Sequence, residues 1–256
     1  MGKRKRAART NETTGTKQQS GSRGGNKTMT DTPLALKAGY AYVSLEGTAI
    51  EAITHQEQPM DVIPAHFVQN RIERDGHPWH HVTIINPTEL PRALEAIGIE
   101  YDKKKKYHLV RALVDHILRE FGDANLWDPP EDLGLAYAEH NDTKAYYHVL
   151  HWPFGHRIRD RLGLGPAFFH VTIGFDHKDV HGTYKGPGTL LCLSHPGFYQ
   201  KHHFERLAEL APFYNNDYDF IKALVKQGIA TSNFRIAMSL GWTYLRGINT
   251  QTHTYL

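Results

Sequence analysis

The run His-Val-Thr-Ile occurs twice in this chain, at positions 81–84 and 170–173. In both copies polar and apolar residues alternate, which is the two-residue period of a β-strand with one buried face. Because successive side chains of a strand point to opposite faces, each histidine shares a face with its threonine, and each valine with its isoleucine. The fold must therefore bury one face of two similar strands, and the repetition predicts an internal duplication.

The residues around these two strands predict further elements in both halves of the chain. Apolar patterns bounded by turn residues predict strands over 38–45, 66–72, 78–85, 133–138, 145–152, 168–175 and 188–194. Helical spacing predicts helices from Thr88 to Gly98, from a basic turn at 103–106 to Gly122, and over 156–162. This mixture predicts an α+β fold over residues 34–200: a bilobal, duplicated domain with two antiparallel sheets lining a central cleft and helices outside.

The basic charge of the chain is confined to its first residues. The formal net charge is +3, and residues 1–32 hold eight Lys and Arg against Glu12 and Asp31, a net +6 that leaves the remaining residues at −3. Few apolar residues occur in this segment, so we expect a disordered basic tail over residues 1–33. Its cluster Lys-Arg-Lys-Arg at 3–6 fits a nuclear localisation signal, an electrostatic RNA contact or a merely solvated tail. The body is not a generally basic nucleic-acid-binding surface.

Cysteine content and hydropathy predict a soluble protein of the cytoplasm or the nucleus. Cys192 is the single cysteine, so an internal disulfide is excluded, as expected in a reducing compartment. The first residues lack the apolar stretch of a secretory signal. Since no apolar run is long enough to cross a bilayer, we expect no membrane partner.

Residues 201–256 differ in character from the rest of the chain. Apolar residues recur at helical spacing in HFERLAELA, DYDFIKALVKQGI and NFRIAMSLGWTYLRG, and Gly228 is expected to end the second helix. The pattern predicts a helical C-terminal extension packed on the domain, with aromatic residues that belong to a core. The sequence leaves open whether this extension covers the cleft or only enlarges the core.

The repeated strand carries side chains suited to phosphodiester hydrolysis. If the two strands lie side by side, two imidazoles and two hydroxyls surround one cleft. A neutral imidazole can take a proton from water while a protonated one gives a proton to the leaving oxygen. The hydroxyls can donate to the non-bridging phosphate oxygens, where negative charge grows in the transition state. This chemistry requires no metal and no other cofactor.

These His-x-Thr strands resemble the defining motifs of the 2H phosphoesterase superfamily. The resemblance is strongest to its Swiss Army Knife, RNA-repair-like branch, and it covers roughly residues 34–195, including AYYHVLHWP, RIRDRLGLG and FFHVTIGFDHKDVHG. It implies a two-lobed fold and cleavage of 2′,3′-cyclic phosphate ends or related RNA phosphodiesters. It also implies an acid–base pair of His81 and His170, with Thr83 and Thr172 binding the phosphate.

The predicted function is thus a metal-independent phosphodiesterase that opens 2′,3′-cyclic phosphates at RNA ends, in RNA repair or processing. Its partners are RNA ends or nucleotides with a cyclic phosphate, and the sequence leaves protein partners open. Lys185, in HGTYKGPG, is a candidate for the basic cleft residue that members of this superfamily often add, although the sequence favours a solvated loop lysine. Which histidine is the acid and which the base is left open.

Other functions find less support. The His-rich runs HHVT, KHHF and DHKDVH match no zinc-ligand spacing. Cys192 lacks an arginine six residues later, which argues against a cysteine phosphatase, and the sequence has no phosphate-binding G-x-x-x-x-G-K-[ST] loop. Two alternatives stay open: a module that binds RNA or nucleotides without turnover, and an enzyme acting on small cyclic nucleotides or 2′–5′ oligoadenylates.

Overall fold

The computed structural model describes residues 31–55 and 62–252. Residues 1–30 of the predicted tail lie outside these ranges. So do residues 253–256, at the end of the predicted extension. Within the described ranges, none of the helices combines the length and the apolar content that a membrane crossing requires. A cytoplasmic or nuclear location stays a prediction.

Six antiparallel strands form one sheet at the centre of the molecule. They are β1 (Ala35–Ala38), β2 (Val43–Glu46), β3 (Val82–Ile85), β4 (Glu131–His140), β5 (Thr143–His151) and β6 (Phe169–Phe175). Their order in space is β1-β2-β3-β6-β5-β4, so each half of the chain supplies three neighbouring strands. The two motif strands, β3 and β6, are central and adjacent.

The prediction of two separate sheets is wrong, because the motif strands pair with each other. Val82 of β3 lies opposite Val171 of β6 in an antiparallel pair. This contact joins the three strands of each half into one sheet. The α+β class is confirmed, whereas a single six-stranded sheet takes the place of the two predicted sheets.

Nine α-helices surround the sheet within the described residues. They are α1 (Thr48–Thr54), α2 (Ala65–Asp75), α3 (Leu90–Ala96), α4 (Lys106–Phe121), α5 (Pro153–Arg161), α6 (Leu191–Ser194), α7 (Lys201–Leu210), α8 (Tyr218–Ala230) and α9 (Phe234–Thr252). Short 3-10 helices lie at Lys103–Lys105, Ala124–Leu126, Pro187–Thr189 and Pro196–Phe198.

Two segments predicted as strands are helical. Residues 66–72 belong to α2, in which Phe67 and Arg71, four residues apart, are buried, and Gly76 ends the helix in the left-handed conformation at φ 71°. Residues 188–194 form a 3-10 turn and α6 instead of a strand. All of residues 190–193 are buried, and such a continuous apolar run lacks the alternation that distinguishes a strand from a buried helix.

One face of the sheet, here called the reverse face, is covered by α1, α3, α4 and α5. The apolar side chains of the motif strands lie in this core, among them Val82, Ile84 and Val171. The four helices contribute Ile50, Leu94, Leu113 and Ile158. Burying each of these aliphatic side chains contributes about 1.5–3 kcal/mol, which fixes the direction of β3 and β6.

The other face, the cleft face, is covered at its two ends. α2 crosses the end of β6 at Gly174, where a Cβ would lie 2.7 Å from the backbone of Phe67. The C-terminal helices α6–α9 pack on β4 and β5, in a core with Tyr147 and Val149. The extension thus enlarges the core beside β6, and the cleft lies over β3 and the neighbouring part of β6.

Candidate active site

The pairing of β3 with β6 brings the two His-x-Thr motifs together. With their valines opposite each other, antiparallel alternation puts His81 beside Thr172 and Thr83 beside His170 on the cleft face. The recorded contact between the two strands is this one pair of valines, and the two motifs flank it on the cleft face. We call these four residues the His-Thr quartet.

The whole quartet lines one cleft of about 1010 Å³. All four side chains are half-buried. The cleft also borders the β1–β2 turn, the end of α2 and the segment before β6. The structure therefore brings the predicted acid–base pair and the predicted phosphate binders into one site, while their catalytic roles stay predictions.

His170 is oriented by its own strand. Its Nδ1 lies 3.0 Å from the carbonyl oxygen of Phe168, and since a carbonyl only accepts, Nδ1 carries the hydrogen. In the neutral ring Nε2 is then the nitrogen with a free lone pair. The ring of Tyr147 packs edge-on against this imidazole, with 5.5 Å between ring centres. His170 is thus held in one tautomer, with Nε2 able to accept a proton.

His81 is held by a neighbouring ring. It stacks on Tyr42, with 5.8 Å between ring centres and 27° between ring planes. Asp75, the last residue of α2, lies close enough for its carboxylate to act on the pKa of His81, although less than burial does. Asp75 accepts a hydrogen bond from Nε of Arg74 at 2.8 Å. The end of α2 therefore puts a charged pair next to this histidine.

Burial lowers the pKa of both histidines to about 4. For His81, the carboxylate of Asp75 opposes the effect of burial, and the charge of Arg74 adds to it. For His170, the ammonium of Lys185 adds to the effect of burial. Both imidazoles are therefore neutral at pH 7 in the free protein, and a bound phosphate anion would raise both pKa values by stabilising the imidazolium.

The hydroxyls of Thr83 and Thr172 have no hydrogen-bond partner within the part of the chain that the structure describes. A threonine hydroxyl carries one donor and two acceptor positions. Both hydroxyls line the cleft together with the two imidazoles. The quartet thus offers two donors to a ligand without first breaking a bond within the described protein.

Lys185 is not among the residues that line the cleft. It is buried, with its Nζ 3.0 Å from Oδ1 of Asp179 and 5.2 Å from the ring centre of Tyr147. Oδ2 of Asp179 accepts a hydrogen bond from Arg74 at 2.5 Å. Burial alone would raise the pKa of Asp179, but the two cations hold it below its usual range. A substrate contact by Lys185 stays a prediction; the structure shows it as a buried cation whose charge reaches His170.

Sequence reasoning misses the residues that α2 brings to the cleft. The strand predicted over 66–72 left Arg74 and Asp75 without a place in the site. Gly76, just after them, is a typical helix-ending residue. That glycine is the signal from which the helix could be found. Asp179 lies in the run DHKDVH, where its pairing with Arg74 joins positions 105 residues apart. No local pattern reveals a contact of this kind.

Other histidines near the motif strands are paired with carboxylates. Nδ1 of His80 lies 2.8 Å from Oε2 of Glu51, and Nδ1 of His148 lies 2.9 Å from both carboxylate oxygens of Asp132. Among residues 31–55 and 62–252, no three His, Cys, Asp or Glu side chains converge as ligands of a metal ion would.

Comparison with known families agrees with this geometry. A family model described as "Swiss Army Knife, 2H phosphoesterase domain" matches residues 41–181, just over half of the chain. The matched region contains the complete His-Thr quartet, Asp75 and Asp179. No curated protein and no solved structure matches the chain. Two His-x-Thr strands paired side by side in one cleft, within the matched region, lead to one conclusion: the chain belongs to the Swiss Army Knife family of 2H phosphoesterases.

Proposed function

We propose that the cleft hydrolyses RNA-type phosphodiesters without a metal ion, above all the 2′,3′-cyclic phosphate at an RNA end, in RNA repair or processing. Membership of the 2H phosphoesterases supports phosphodiester hydrolysis, and the substrate is what we infer. The observation that carries the proposal is the His-Thr quartet on adjacent strands. It offers two proton-transfer groups and two hydroxyl donors around one small region of the cleft.

In the proposed reaction, water adds to phosphorus and one ring oxygen of the cyclic phosphate leaves. A neutral imidazole accepts a proton from the water as the water oxygen forms the new P–O bond. The P–O bond to the 2′ or 3′ oxygen breaks, and an imidazolium donates its proton to that oxygen. The product is a phosphomonoester. The two histidines have then exchanged protonation states, and proton exchange with solvent restores them.

The charges near the two rings favour His170 as the base and His81 as the acid. Burial lowers both pKa values. The largest effect after burial is that of Lys185 on His170, which lowers its pKa, and that of Asp75 on His81, which raises its pKa against the smaller opposing effect of Arg74. A proton taken up with an anionic substrate therefore goes first to His81. The bond from Nδ1–H of His170 to Phe168 leaves Nε2 of that ring as the acceptor for the proton of water.

The two threonines have the role of electrostatic stabilisers. Their hydroxyls donate to the non-bridging oxygens of the phosphate, whose negative charge increases as water attacks. Because β3 and β6 are anchored by the core on the reverse face, these donors need little reorganisation during the reaction. Such preorganisation makes a donor more effective than a water molecule in the same position.

The lowered pKa values make the expected pH dependence specific. The ratio kcat/KM reports the free protein, in which one imidazole must be neutral and the other protonated. With both pKa values at about 4, this ratio is highest on the acid side of the ordinary histidine range. In contrast, kcat reports the complex, where the bound anion raises both pKa values, so its maximum lies at higher pH.

The test is the hydrolysis of an RNA oligonucleotide ending in a 2′,3′-cyclic phosphate, in the presence of EDTA. The expected product is the phosphomonoester end, formed equally well with and without chelator, and it is lost in His170→Ala. Loss of activity with EDTA, or full activity of His170→Ala, would contradict the mechanism. Tight binding without any product after long incubation would instead indicate a binding module without turnover.

A leaving group that needs no protonation separates the two histidine roles. A p-nitrophenyl phosphodiester releases a stable phenolate, so the general acid matters little for its hydrolysis. His81→Asn should therefore lose far less activity on this substrate than on the cyclic phosphate, whereas His170→Asn should lose similar activity on both. The opposite pattern would exchange the two roles.

A further inference from the structure

Two exposed tyrosines stand at one side of the cleft. Tyr40, in the turn between β1 and β2, is 71% exposed, and Tyr107, in the first turn of α4, is 46% exposed. Both line the cleft. Neither belongs to one of the buried hydrophobic cores of the described residues. Core packing therefore does not account for these rings, and exposed aromatic surface beside a cleft is typical of binding sites.

Two cations lie against the rings, and a third lines the cleft with them. Nζ of Lys106 lies 5.8 Å from the ring centre of Tyr40, and Cζ of Arg111 lies 6.0 Å from the ring centre of Tyr107. Lys37, on β1, lines the same side of the cleft. We call these five residues the tyrosine–cation track.

The three cations of the track are not held in ion pairs within the described ranges, while the carboxylate of Glu46 also lines the cleft. The nearby carboxylate of Asp102 is paired with Lys105, at 3.7 Å. Since residues 33–256 have a net charge of −3, the track is a local positive surface on an otherwise acidic body. Such a surface attracts an anionic ligand to this side of the cleft.

The track is continuous with the His-Thr quartet. On the cleft face, Lys37 lies opposite Ser44, and Ser44 lies opposite Thr83. Neighbouring strands are about 4.8 Å apart, so this row leads from Thr83 to Lys37 over roughly 10 Å. The turn after β1 then carries Tyr40. A chain molecule with one phosphate at the quartet can therefore extend along the row to the exposed rings.

We propose that the tyrosine–cation track binds the single-stranded RNA segment next to the phosphodiester held by the quartet, an inference that rests on the proposed function. Bases stack on exposed aromatic rings with little regard to sequence, while nearby cations neutralise backbone phosphates. An acidic peptide would use the cations and gain little from two exposed rings. The substrate class is thus a polynucleotide end, because a cyclic mononucleotide leaves the track empty.

The experiment compares a 2′,3′-cyclic mononucleotide with an oligonucleotide that carries the same terminal nucleotide. The oligonucleotide should have the higher kcat/KM, through a lower KM, by about 5- to 150-fold for each base stacked on the track. The double variant Tyr40→Ala/Tyr107→Ala should reduce the ratio of the two kcat/KM values. Phe213→Ala is the matched control, because Phe213 is also 46% exposed but does not line the cleft.

The cations are tested by the salt dependence of oligonucleotide binding. The triple variant Lys37→Gln/Lys106→Gln/Arg111→Gln should reduce the slope of log Kd against log salt by about 2, since each phosphate contact to a single strand contributes about 0.7. The exposed Lys222, replaced by Gln, is the control and should leave the slope unchanged.

Different experimental results would overturn the track and the proposed function. A wild-type protein that cleaves both substrates equally well, or tyrosine variants with an unchanged ratio, would overturn the track alone. If the wild type cleaves neither substrate, the proposed function fails, and fluorescence anisotropy with a labelled oligonucleotide then tests the track. Weaker binding in the tyrosine variants supports the track. Equal binding, or equal competition by polyglutamate of the same charge, overturns it.

Discussion

The two faces of the central strands hold their histidines in different ways. On the reverse face, His80 is paired with the carboxylate of Glu51 at 2.8 Å. The next residue, His81, lies on the cleft face and stacks on Tyr42, and it forms no ion pair with any residue that the structure describes. Adjacent positions in the sequence thus carry the same side chain in two unlike environments.

The second motif strand, β6, and its neighbour β5 show the same contrast. His148 of β5, opposite Val171 on the reverse face, is held by Asp132, whereas His170 on the cleft face is held by the carbonyl of Phe168. An imidazole held by a carboxylate has a fixed partner for its charged form. An imidazole that is bonded to a carbonyl or stacked on a ring, without an ion pair, leaves its charged form to be stabilised by a ligand. The comparison indicates that the cleft histidines serve chemistry and those on the reverse face serve the fold.

The largest expected effect is the difference in kcat between variants of His81 and variants of His80. His81→Asn, like His170→Asn, should reduce kcat on a cyclic-phosphate RNA end by about 10²–10⁴-fold, the usual contribution of an acid–base group. His80→Asn should keep the activity per folded molecule and lower the melting temperature, because it weakens the bond to Glu51. An equal loss of kcat in His80→Asn with an intact fold would break the comparison.

The threonines extend the comparison to the other half of the quartet. Thr83→Val and Thr172→Val keep the side-chain shape but remove the donor, and each should reduce kcat by about 10²–10³-fold. Thr143, in the β4–β5 hairpin and outside the cleft lining, is the control, and Thr143→Val should leave kcat unchanged. Rates of the two quartet variants close to that of the wild type would show that the hydroxyls do not touch the phosphate.

Lys185→Met tests the buried cation that acts on His170. Burial and then Lys185 lower the pKa of His170, so the variant should have a higher pKa there and a kcat/KM profile shifted to higher pH. Stability should fall by less than the ~3–5 kcal/mol of a broken buried pair, because Arg74 still pairs with Asp179. Lys178→Met, at an exposed position, is the control. Reduced stability with an unchanged pH profile would mean that Lys185 has a structural role only.

The last prediction concerns stability at acid pH. Because the pKa values of His81 and His170 are about 4 in the folded protein against about 6.5 in an unfolded chain, the unfolded state binds more protons between these values. The free energy of unfolding should therefore fall as the pH drops from about 6.5 to 4. In urea titrations, His81→Asn/His170→Asn should show a smaller fall than the wild type, and an equal fall would contradict the lowered pKa values.

The elements with a clear local pattern could be predicted from the sequence. The motif strands alternate with period two, and the helix expected to end at Gly122 does so, with that glycine at φ 82°. The strands predicted over 133–138 and 145–152 correspond to β4 and β5, which pair with each other. For the site, the spacing His-x-Thr was enough to name all four members of the quartet, because strand alternation alone puts each pair on one face.

What depends on distant contacts could not be predicted. The single sheet follows from the pairing of Val82 with Val171, which no local pattern specifies. Gly228 was expected to end a helix but lies inside α8, where its hydrogen side chain lets α9 approach, since a Cβ there would lie 3.1 Å from Cβ of Ala237. The pairing of Arg74 with Asp179 likewise joins elements that only the tertiary fold brings together.

The central claim is that the two His-x-Thr strands act on one phosphate, and NMR of the imidazole protons tests it directly. The Cε1–H signals of His81 and His170, assigned with the two Asn variants, are followed during titration with a nucleoside 2′-monophosphate, one of the two possible products of ring opening. Both signals should shift with the same midpoint, and both pKa values should rise from about 4. A shift of one histidine alone, or two different midpoints, would mean that the strands do not form a single site.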